Sequence, residues 1–287
     1  MGGGCYSYIR DNARKLSNSH MSREEVFQQR SMSPDMDIKN KVRECKDSEE
    51  HPETLPIIIA LDVTGSMGMI PHKLITSDFP EIMKKIMDEG IAHPQVCFLG
   101  IGDQYSDLAP IQVGQFESSD ELLDRWLKTI WLEGHGGGNG GESYNLAWWF
   151  AANHVSADHI EKRGKKGVLI TIGDEPVHRS ITKSEFNTLF GTSSEVDSMT
   201  ASQLLNRVQE SWDVYHINLM DYSGAMSATQ RCWNELLGDH VINTEDGEGN
   251  DIAGIISGII LKSAGTAWTK SETKKEEPTG TETTHIR

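Results

Sequence analysis

Cysteine is scarce in this sequence, and the four cysteines lie far apart, at Cys5, Cys45, Cys97 and Cys232. No two of them form a C-x-x-C pair or another metal-ligand spacing, so the sequence predicts neither a disulfide framework nor a zinc site. Scattered, unpaired thiols are typical of proteins that stay in a reducing compartment. We therefore expect a cytoplasmic protein with reduced cysteines.

An excess of basic charge and long apolar runs are also missing. Lys and Arg number 27 against 43 Asp and Glu, so the net charge is 27 − 43 = −16. A chain this acidic lacks the excess of basic residues that binds nucleic acid or an anionic membrane. No stretch reaches transmembrane length, and no early apolar run resembles a signal peptide. The composition instead suits a cation, or a partner protein with a basic surface.

Apolar content is modest, at 37%, and two polar ends account for much of the deficit. Residues 1–52 predict an irregular N-terminal arm with a short helix near residues 22–30, where Ser22 and Glu25 can form a capping box. Residues 267–287 are charged and rich in Thr, which predicts a disordered tail. Residues 53–266 between them are long enough for one domain with a full core.

Short apolar runs alternate with helix-length segments through that domain. Continuous runs, typical of parallel strands covered on both faces, lie at residues 57–61, 96–101, 167–172 and 214–219. An alternating run at residues 111–116 indicates an edge strand, and residues 240–243 are a weaker last strand. Helices are predicted at residues 71–89, 119–132, 143–155, 182–190, 200–211, 228–237 and 251–263.

This alternation predicts an α/β fold: a doubly wound, mostly parallel sheet with helices on both faces and one antiparallel edge strand. In folds of this class, ligands bind outside the carboxyl ends of the strands. The loops that follow the predicted strands are therefore where chemistry is expected.

The loop after the first apolar strand carries Asp62, Thr64 and Ser66, with Gly65 between the two hydroxyls. A carboxylate at the tip of a buried strand is costly unless something neutralises it. Hard oxygen ligands in a short, fixed loop suit Mg²⁺. The alternative is a metal-free turn, in which Ser66 caps the next helix and Asp62 accepts backbone N–H groups.

Two further loops offer oxygen at the same edge. The third apolar strand ends at Gly173 and Asp174, so a second carboxylate stands at a strand tip. A glycine-rich segment, residues 134–141, leads into Glu142 and Ser143. It lacks the Lys-Ser/Thr of a P-loop and the order of a dinucleotide site, so we interpret it as a flexible loop beside the metal.

Together these loops resemble the metal ion-dependent adhesion site (MIDAS) of the von Willebrand factor A (VWA) domain family, over roughly residues 55–265. Asp62, Thr64 and Ser66 match its motif Asp-x-Ser/Thr-x-Ser, and Asp174 matches its third-loop Asp. The second loop departs from the family pattern, because Gly-Gly-Glu-Ser stands where many members have Gly-Gly-Thr-Asn. Either Glu142 or Ser143 fills that position.

The resemblance implies a VWA/Rossmann-like fold and a metal-dependent protein-interaction module. Its cofactor would be Mg²⁺, with Mn²⁺ or Ca²⁺ as alternatives. The intracellular bacterial and phage type implies a partner protein such as a MoxR-type AAA ATPase or an assembly component, and a cytoplasmic or virion-associated location. Three carboxylates, Asp62, Glu142 and Asp174, would leave one dication at net −1, so the partner's ligand would be neutral or water would stay. Alternatively, Glu142 orients a water beside the metal.

Other interpretations remain open. Asp103 and Asp107 after the second strand either hold a second cation or lie in a solvated loop, and the solvated loop is favoured. A metal-dependent hydrolase would use the same acidic residues with Glu142 or His135 as general base. A structural component of a phage or other assembly would dock through the N-terminal arm. Glu175 and His178 are interpreted as surface or capping residues.

Overall fold

The computed structural model describes residues 4–134, 140–191, 197–220, 227–245 and 251–265. The predicted tail, residues 267–287, lies outside these ranges, as do His135 and residues 136–139 of the glycine-rich loop. Over the described residues, no helix has both the length and the apolar character needed to cross a membrane.

Ten strands are present in the described part of the chain: β1 (Arg43–Cys45), β2 (Leu55–Asp62), β3 (Pro94–Ile101), β4 (Ile111–Val113), β5 (Val155–Ala157), β6 (Gly167–Gly173), β7 (Ser180–Thr182), β8 (Ser198–Thr200), β9 (Trp212–Met220) and β10 (Val241–Glu245). The helices are α1 (Tyr8–Asn18), α2 (Arg23–Val26), α3 (Ile70–Lys73), α4 (Phe79–Asp88), α5 (Asp120–Thr129), α6 (Tyr144–Asn153), α7 (Asp158–Glu161), α8 (Lys183–Phe190), α9 (Ala201–Val208), α10 (Ala228–Leu237) and α11 (Ile252–Ser263).

Six of the strands form the central sheet in the order β10-β9-β6-β2-β3-β4. Neighbouring strands are parallel except for β4, which pairs antiparallel with β3 at one edge. This confirms the predicted fold class, including the antiparallel edge strand. Because β2 lies between β3 and β6 in the middle of the sheet, the loop after it is flanked by the loops after both neighbours.

The core covers both faces of the sheet. Along β2, Ile57 and Ile59 belong to one apolar cluster, whereas Ile58 and Ala60 belong to the other. Helices α4, α5 and α11 cover the first face, and α6, α8, α9 and α10 cover the second. Because both faces of the sheet are buried, the parallel strands appear in the sequence as continuous apolar runs.

The predicted helix at residues 71–89 is broken into α3, a π turn at Leu74–Asp78, and α4. Pro80, near the start of α4, has no N–H to donate to the carbonyl of Thr76, and the wider turn occurs there. The hydroxyl of Thr76 donates to the carbonyl of His72 at 2.8 Å, which satisfies another carbonyl in the same stretch.

The N-terminal arm is not the irregular appendage that its polar composition predicts. The capping box of Ser22 and Glu25 is present at the start of α2, as predicted. The sequence did not predict α1, nor the parallel pairing of β1 with β5. Met36 is buried in the apolar cluster of the first face, and Cys45 in that of the second. An arm that packs into the core is unsuited to be a free connector, which weakens the hypothesis of docking through the arm.

Candidate metal centre at the strand-end rim

Asp62 ends β2 and is fully buried, although a carboxylate in that position needs partners. Its Oδ1 accepts from the backbone N–H of Thr64 at 2.8 Å and from the hydroxyl of Thr64 at 2.6 Å. The side chain thus folds back on the residue two positions later, a turn for which Asp is well suited. Both lone pairs of Oδ1 are committed by these two bonds.

The second oxygen of Asp62 accepts from the hydroxyl of Tyr144, on α6, at 2.6 Å. Sequence reasoning missed Tyr144, because its only local signal is a place just after the predicted helix start at Ser143. Gly173 makes this approach feasible, since a Cβ at residue 173 would overlap the Tyr144 hydroxyl. The glycine at the end of β6 is therefore required by the fit of Tyr144 against Asp62.

Ser66 joins the loop after β2 to the loop after β6. Its hydroxyl lies 3.2 Å from the hydroxyl of Thr64 and donates to Oδ1 of Asp174 at 3.1 Å. Four of the predicted ligands, Asp62, Thr64, Ser66 and Asp174, are thus brought into one connected group. The loop also contacts the first residue of the glycine-rich segment, since a Cβ on Gly65 would lie 3.0 Å from the carbonyl oxygen of Gly134.

Glu142 is buried beside this group, with 4% of its surface exposed. Its N–H donates to the carbonyl of Pro176 at 2.8 Å, and its carbonyl accepts from His178 at 3.0 Å, so the backbone is anchored. Oε2 of Glu142 is buried and has no hydrogen-bond partner among the described residues. Burial, together with the charges of Asp62, Asp103 and nearby carboxylates, raises the pKa of Glu142 to about 9.

The pKa of Asp62 is set by opposing effects. Burial raises it, while the hydrogen bonds from Thr64 and Tyr144 lower it and the carboxylate of Asp174 raises it, and the result is about 6. Asp62 and Glu142 therefore both lie in surroundings that disfavour additional negative charge. A cation placed among them would reverse that effect.

Ser143, the other predicted second-loop ligand, points its hydroxyl elsewhere. The Ser143 Oγ accepts from the backbone N–H of Gln104 at 2.7 Å, and its N–H donates to the carbonyl of Gly102 at 3.1 Å. Ser143 therefore ties the start of α6 to the loop after β3 rather than to Asp62, Ser66 or Asp174.

The favoured interpretation of Asp103 as part of a solvated loop is wrong. Asp103 is fully buried, and its Oδ1 lies 2.7 Å from Nε2 of His178. His178 is itself 9% exposed, so it is not the surface residue that the sequence suggested. Asp107 is half-buried, and its Oδ2 accepts from the N–H of Asp103 at 2.8 Å. The carboxylate and imidazole reach each other because the loops after β3 and β6 converge beside Gly141.

Within the described residues, no group of three or more His, Cys, Asp and Glu side chains is placed to hold a metal ion. A site at this rim has to use hydroxyls as well as carboxylates. Thr64 and Ser66 supply those hydroxyls, and their 3.2 Å separation is close to the ~3 Å between adjacent ligands of octahedral Mg²⁺. The donor set fits a hard dication, and the unpartnered Glu142 Oε2 fits the same interpretation.

No protein-family model matches the chain, and no curated protein matches it. Among solved structures, it is similar to the pilus adhesin SpaC from Lactobacillus rhamnosus GG, with 10% identity and a TM-score of 0.44 over 77% of this chain and 31% of the adhesin. The chain thus spans about a third of the adhesin's length.

Two shorter structures are covered almost completely. The VWA domain of SpRpn10 is 9% identical, with a TM-score of 0.42 over 70% of this chain and 93% of that domain. BatB from Bacteroides thetaiotaomicron is 15% identical, with a TM-score of 0.40 over 74% of this chain and 99% of BatB. At these identities and TM-scores the comparisons carry no argument about function, and the α/β fold of this chain is established by its own strand order.

Proposed function

We propose that this chain is a protein-interaction module whose strand-end rim binds a divalent cation, with Mg²⁺ as the expected ion. Thr64 and Ser66 would hold the cation through their hydroxyl oxygens. Asp62, Glu142 and Asp174 would balance its charge, Asp174 and Glu142 as ligands or through water. The bound cation would supply a Lewis acid that accepts an oxygen of the partner protein.

One observation carries this proposal. Three contacts join the side-chain oxygens of Asp62 to Thr64, Thr64 to Ser66, and Ser66 to Asp174, but the two hydroxyls have only two protons between them. With both carboxylates ionised, one of the three contacts therefore brings lone pairs towards each other. That arrangement is unfavourable by itself and becomes favourable when a cation lies between them.

Tyr144 supports the site without being a ligand. Because Oδ1 of Asp62 accepts two hydrogen bonds and Oδ2 accepts one, Asp62 keeps a single lone pair. Asp62 therefore acts mainly by orienting the Thr64 hydroxyl, so that its lone pairs face Ser66. Outer partners of this kind are what hold metal ligands in place.

The donor set also bears on the partner. With three carboxylates around one dication, the site would stand at net −1, so a further carboxylate from a partner would be held weakly. A carbonyl, hydroxyl or water oxygen is the better-suited ligand. The MoxR-type AAA ATPase and the assembly component that the family resemblance implies stay proposals at this stage.

The first experiment measures metal binding to the full chain by isothermal titration calorimetry with MgCl₂ and MnCl₂. We expect one saturable site in the unmodified chain and none in Asp62→Ala or Ser66→Ala. Ser202→Ala, on α9, is the matched control and should bind as the unmodified chain does. The absence of saturable binding in the unmodified chain would overturn the metal centre.

The second experiment tests the interaction itself. Immobilised chain is incubated with lysate in Mg²⁺, and proteins released by EDTA are identified by mass spectrometry. A partner recovered with the unmodified chain, lost with Asp62→Ala and lost in EDTA supports a metal-dependent module. Recovery that is unchanged in both cases would remove the metal from the interaction.

A second candidate function is a metal-dependent phosphoesterase, and the Asp103–His178 pair favours it. The carboxylate fixes the imidazole through Nε2, while Nδ1 faces Gly141, where a Cβ would lie 3.0 Å away. An imidazole held in this way can take a proton from an attacking water. Release of nitrophenol from nitrophenyl phosphate mono- and diesters in Mn²⁺, lost in His178→Asn, would support this function; no turnover with a metal bound would end it.

A further inference from the structure

Beside the candidate metal centre, the loop of residues 103–109 exposes large apolar side chains. Leu108 is 83% exposed and Tyr105 is 59% exposed. Met69, which follows the loop that carries Thr64 and Ser66, is 57% exposed. Tyr105 and Leu108 lie on one loop, and Met69 follows the neighbouring loop; exposed aromatic and aliphatic side chains are typical of interaction sites.

This loop is held rigidly, although it lies at the surface. Oδ1 of Asp103 accepts from the N–H of Tyr105 at 3.0 Å, and Oδ2 accepts from the hydroxyl of Ser106 at 2.7 Å. The ring of Tyr105 also packs edge-on against His178, with centroids 4.7 Å apart. A side chain exposed on a fixed loop loses little conformational freedom on binding, which favours affinity.

A second anchor holds the far end of the loop. The carboxylate of Glu133 accepts from the N–H of Leu108 at 3.0 Å and from the N–H of Ala109 at 3.2 Å. Gly134, the next residue, lies against Gly65 in the loop of the candidate metal centre. The loop of residues 103–109 and the metal loop are thus adjacent, because both are braced by residues 133 and 134.

Negative charge accompanies the apolar side chains. Asp107 lies between Tyr105 and Leu108 in the same loop and is half-buried. Burial and the carboxylates of Glu133 and Asp103 raise the pKa of Asp107. A cationic side chain of a partner would find complementary charge here, next to apolar anchors.

We propose that Tyr105, Leu108 and Met69, together with the charge of Asp107, form a docking surface for a partner segment that presents an arginine beside an apolar side chain. Arginine fits better than lysine, because its guanidinium is weakly hydrated and stacks on aromatic rings such as that of Tyr105. The proposal rests on the proposed interaction function and adds the chemistry of the partner. The cation would fix one oxygen of that partner, and the docking surface would select its side chains.

The probe is a phage-displayed library of short random peptides, selected against the full immobilised chain in Mg²⁺ and, separately, in EDTA. We expect the selected peptides to share an arginine next to Leu, Ile, Phe or Trp. Enriched peptides with no such pair, or an absence of enrichment, would overturn the proposal.

Synthetic versions of the selected peptides are then titrated against variants by fluorescence anisotropy. Tyr105→Ala and Leu108→Ala should each weaken binding by about tenfold or more, as truncated anchors do. Ile9→Ala is the matched control, since Ile9 on α1 is also 83% exposed. Asp107→Asn keeps an acceptor for the N–H of Asp103 but removes the charge, and it should weaken arginine peptides more than their glutamine analogues. Equal binding by Ile9→Ala and Leu108→Ala would overturn the proposal.

The two proposals fail separately. Peptide binding that depends on Leu108 but persists in EDTA and in Asp62→Ala would support the docking surface and overturn the metal-dependent function. Peptide binding that requires Mg²⁺ but is unchanged in Tyr105→Ala and Leu108→Ala would support the metal-dependent function and overturn the docking surface. Mg²⁺ titration of the Tyr105→Ala and Leu108→Ala chains, with an unchanged affinity for the ion, verifies that the metal centre is intact.

Discussion

Asp62 shows how a single carboxylate can organise a site through the hydrogen bonds that it accepts. Thr64 and Tyr144 donate to it from two different elements, and all three groups are buried. Hydrogen bonds to a charged group are stronger than those between neutral groups. The arrangement fixes the Thr64 hydroxyl and leaves its lone pairs directed away from Asp62, towards Ser66.

Tyr144→Phe tests this arrangement, because it deletes one hydroxyl and keeps the ring. The buried Asp62 would lose a donor, so we expect a loss of stability of about 1.5–3 kcal/mol. Chemical denaturation measures this loss. Tyr215→Phe is the control: Tyr215 is 4% exposed, and its hydroxyl makes no hydrogen bond with described residues, so its change should be smaller. Equal losses in the two variants would contradict a specific role for Tyr144.

Glu142 predicts how stability depends on pH in EDTA. Its pKa is raised from an ordinary value of 4.5 to about 9 in the folded chain, so folding favours the protonated form. The contribution of Glu142 to stability is therefore fully present below the ordinary value and is lost as pH rises towards about 9. Stability should fall over this interval when no metal is bound.

Glu142→Gln removes that titration, and the fall in stability should become shallower. At the alkaline end of the interval, we expect Tm to exceed that of the unmodified chain by at least about 2–4 °C, the shift that ~1 kcal/mol gives in a domain of this size. Circular dichroism melts in EDTA across the pH range provide the measurement. Glu121→Gln, at an exposed position of α5, is the control. Parallel pH profiles for all three chains would refute the prediction.

Among the secondary-structure elements, α1 illustrates a strong long-range attachment. Asp120, the first residue of α5, is fully buried and accepts from the N–H of Ser7 at 3.1 Å and from Nη2 of Arg10 at 2.7 Å. Arg14 forms a further ion pair with the same carboxylate. One side chain thus joins the N-terminal helix to a helix more than a hundred residues later.

Asp120→Ala should therefore release α1 from the domain. Removing the buried carboxylate leaves Arg10 and Arg14 without their shared partner, which costs roughly 2 kcal/mol. The part due to Arg10 is smaller, because its side chain is largely exposed and water screens its charge. We expect trypsin to cut within residues 10–15 faster than in the unmodified chain, as detected by mass spectrometry. Asp88→Ala removes an exposed ion pair with Lys84 and should leave the cleavage rate unchanged. An unchanged rate in Asp120→Ala would show that other contacts hold the helix.

For the molecule as a whole, both the net charge and the proposed cation binding affect thermal stability. A net charge of −16 destabilises the compact state by self-repulsion, so any added salt should raise Tm through screening. A site-bound ion adds stabilisation by mass action, about 2.7 kcal/mol when free ion is at 100 times its dissociation constant.

MgCl₂ should therefore raise Tm more than NaCl at the same ionic strength, and the difference should vanish in Asp62→Ala. Differential scanning calorimetry measures Tm in each salt for both chains. Asp213→Ala is the control, because Asp213 lies at the opposite end of the sheet, at the start of β9. An equal effect of the two salts on the unmodified chain would mean that Mg²⁺ acts by screening alone.

The sequence by itself determined the central strands, most helices and the loop of Asp62, Thr64 and Ser66. These features have local causes: apolar runs that match strands buried on both faces, capping residues, and a turn that closes within two positions. It also determined the capping box of α2, because that motif spans only the four residues from Ser22 to Glu25. It did not predict α1, whose few apolar side chains give little sign of a buried face.

Only the tertiary structure decided which distant side chains meet. Tyr144 reaches Asp62 across 82 positions, and His178 reaches Asp103 across 75. Both contacts follow from the order β6-β2-β3, which sets the loops of three strands side by side. Hydrophobic periodicity records whether a residue is buried but not which strand lies next to it. The surroundings of Glu142 and Ser143 depend on the same packing, since the Ser143 hydroxyl accepts from the N–H of Gln104 in the loop after β3, whereas Glu142 lies near Asp62.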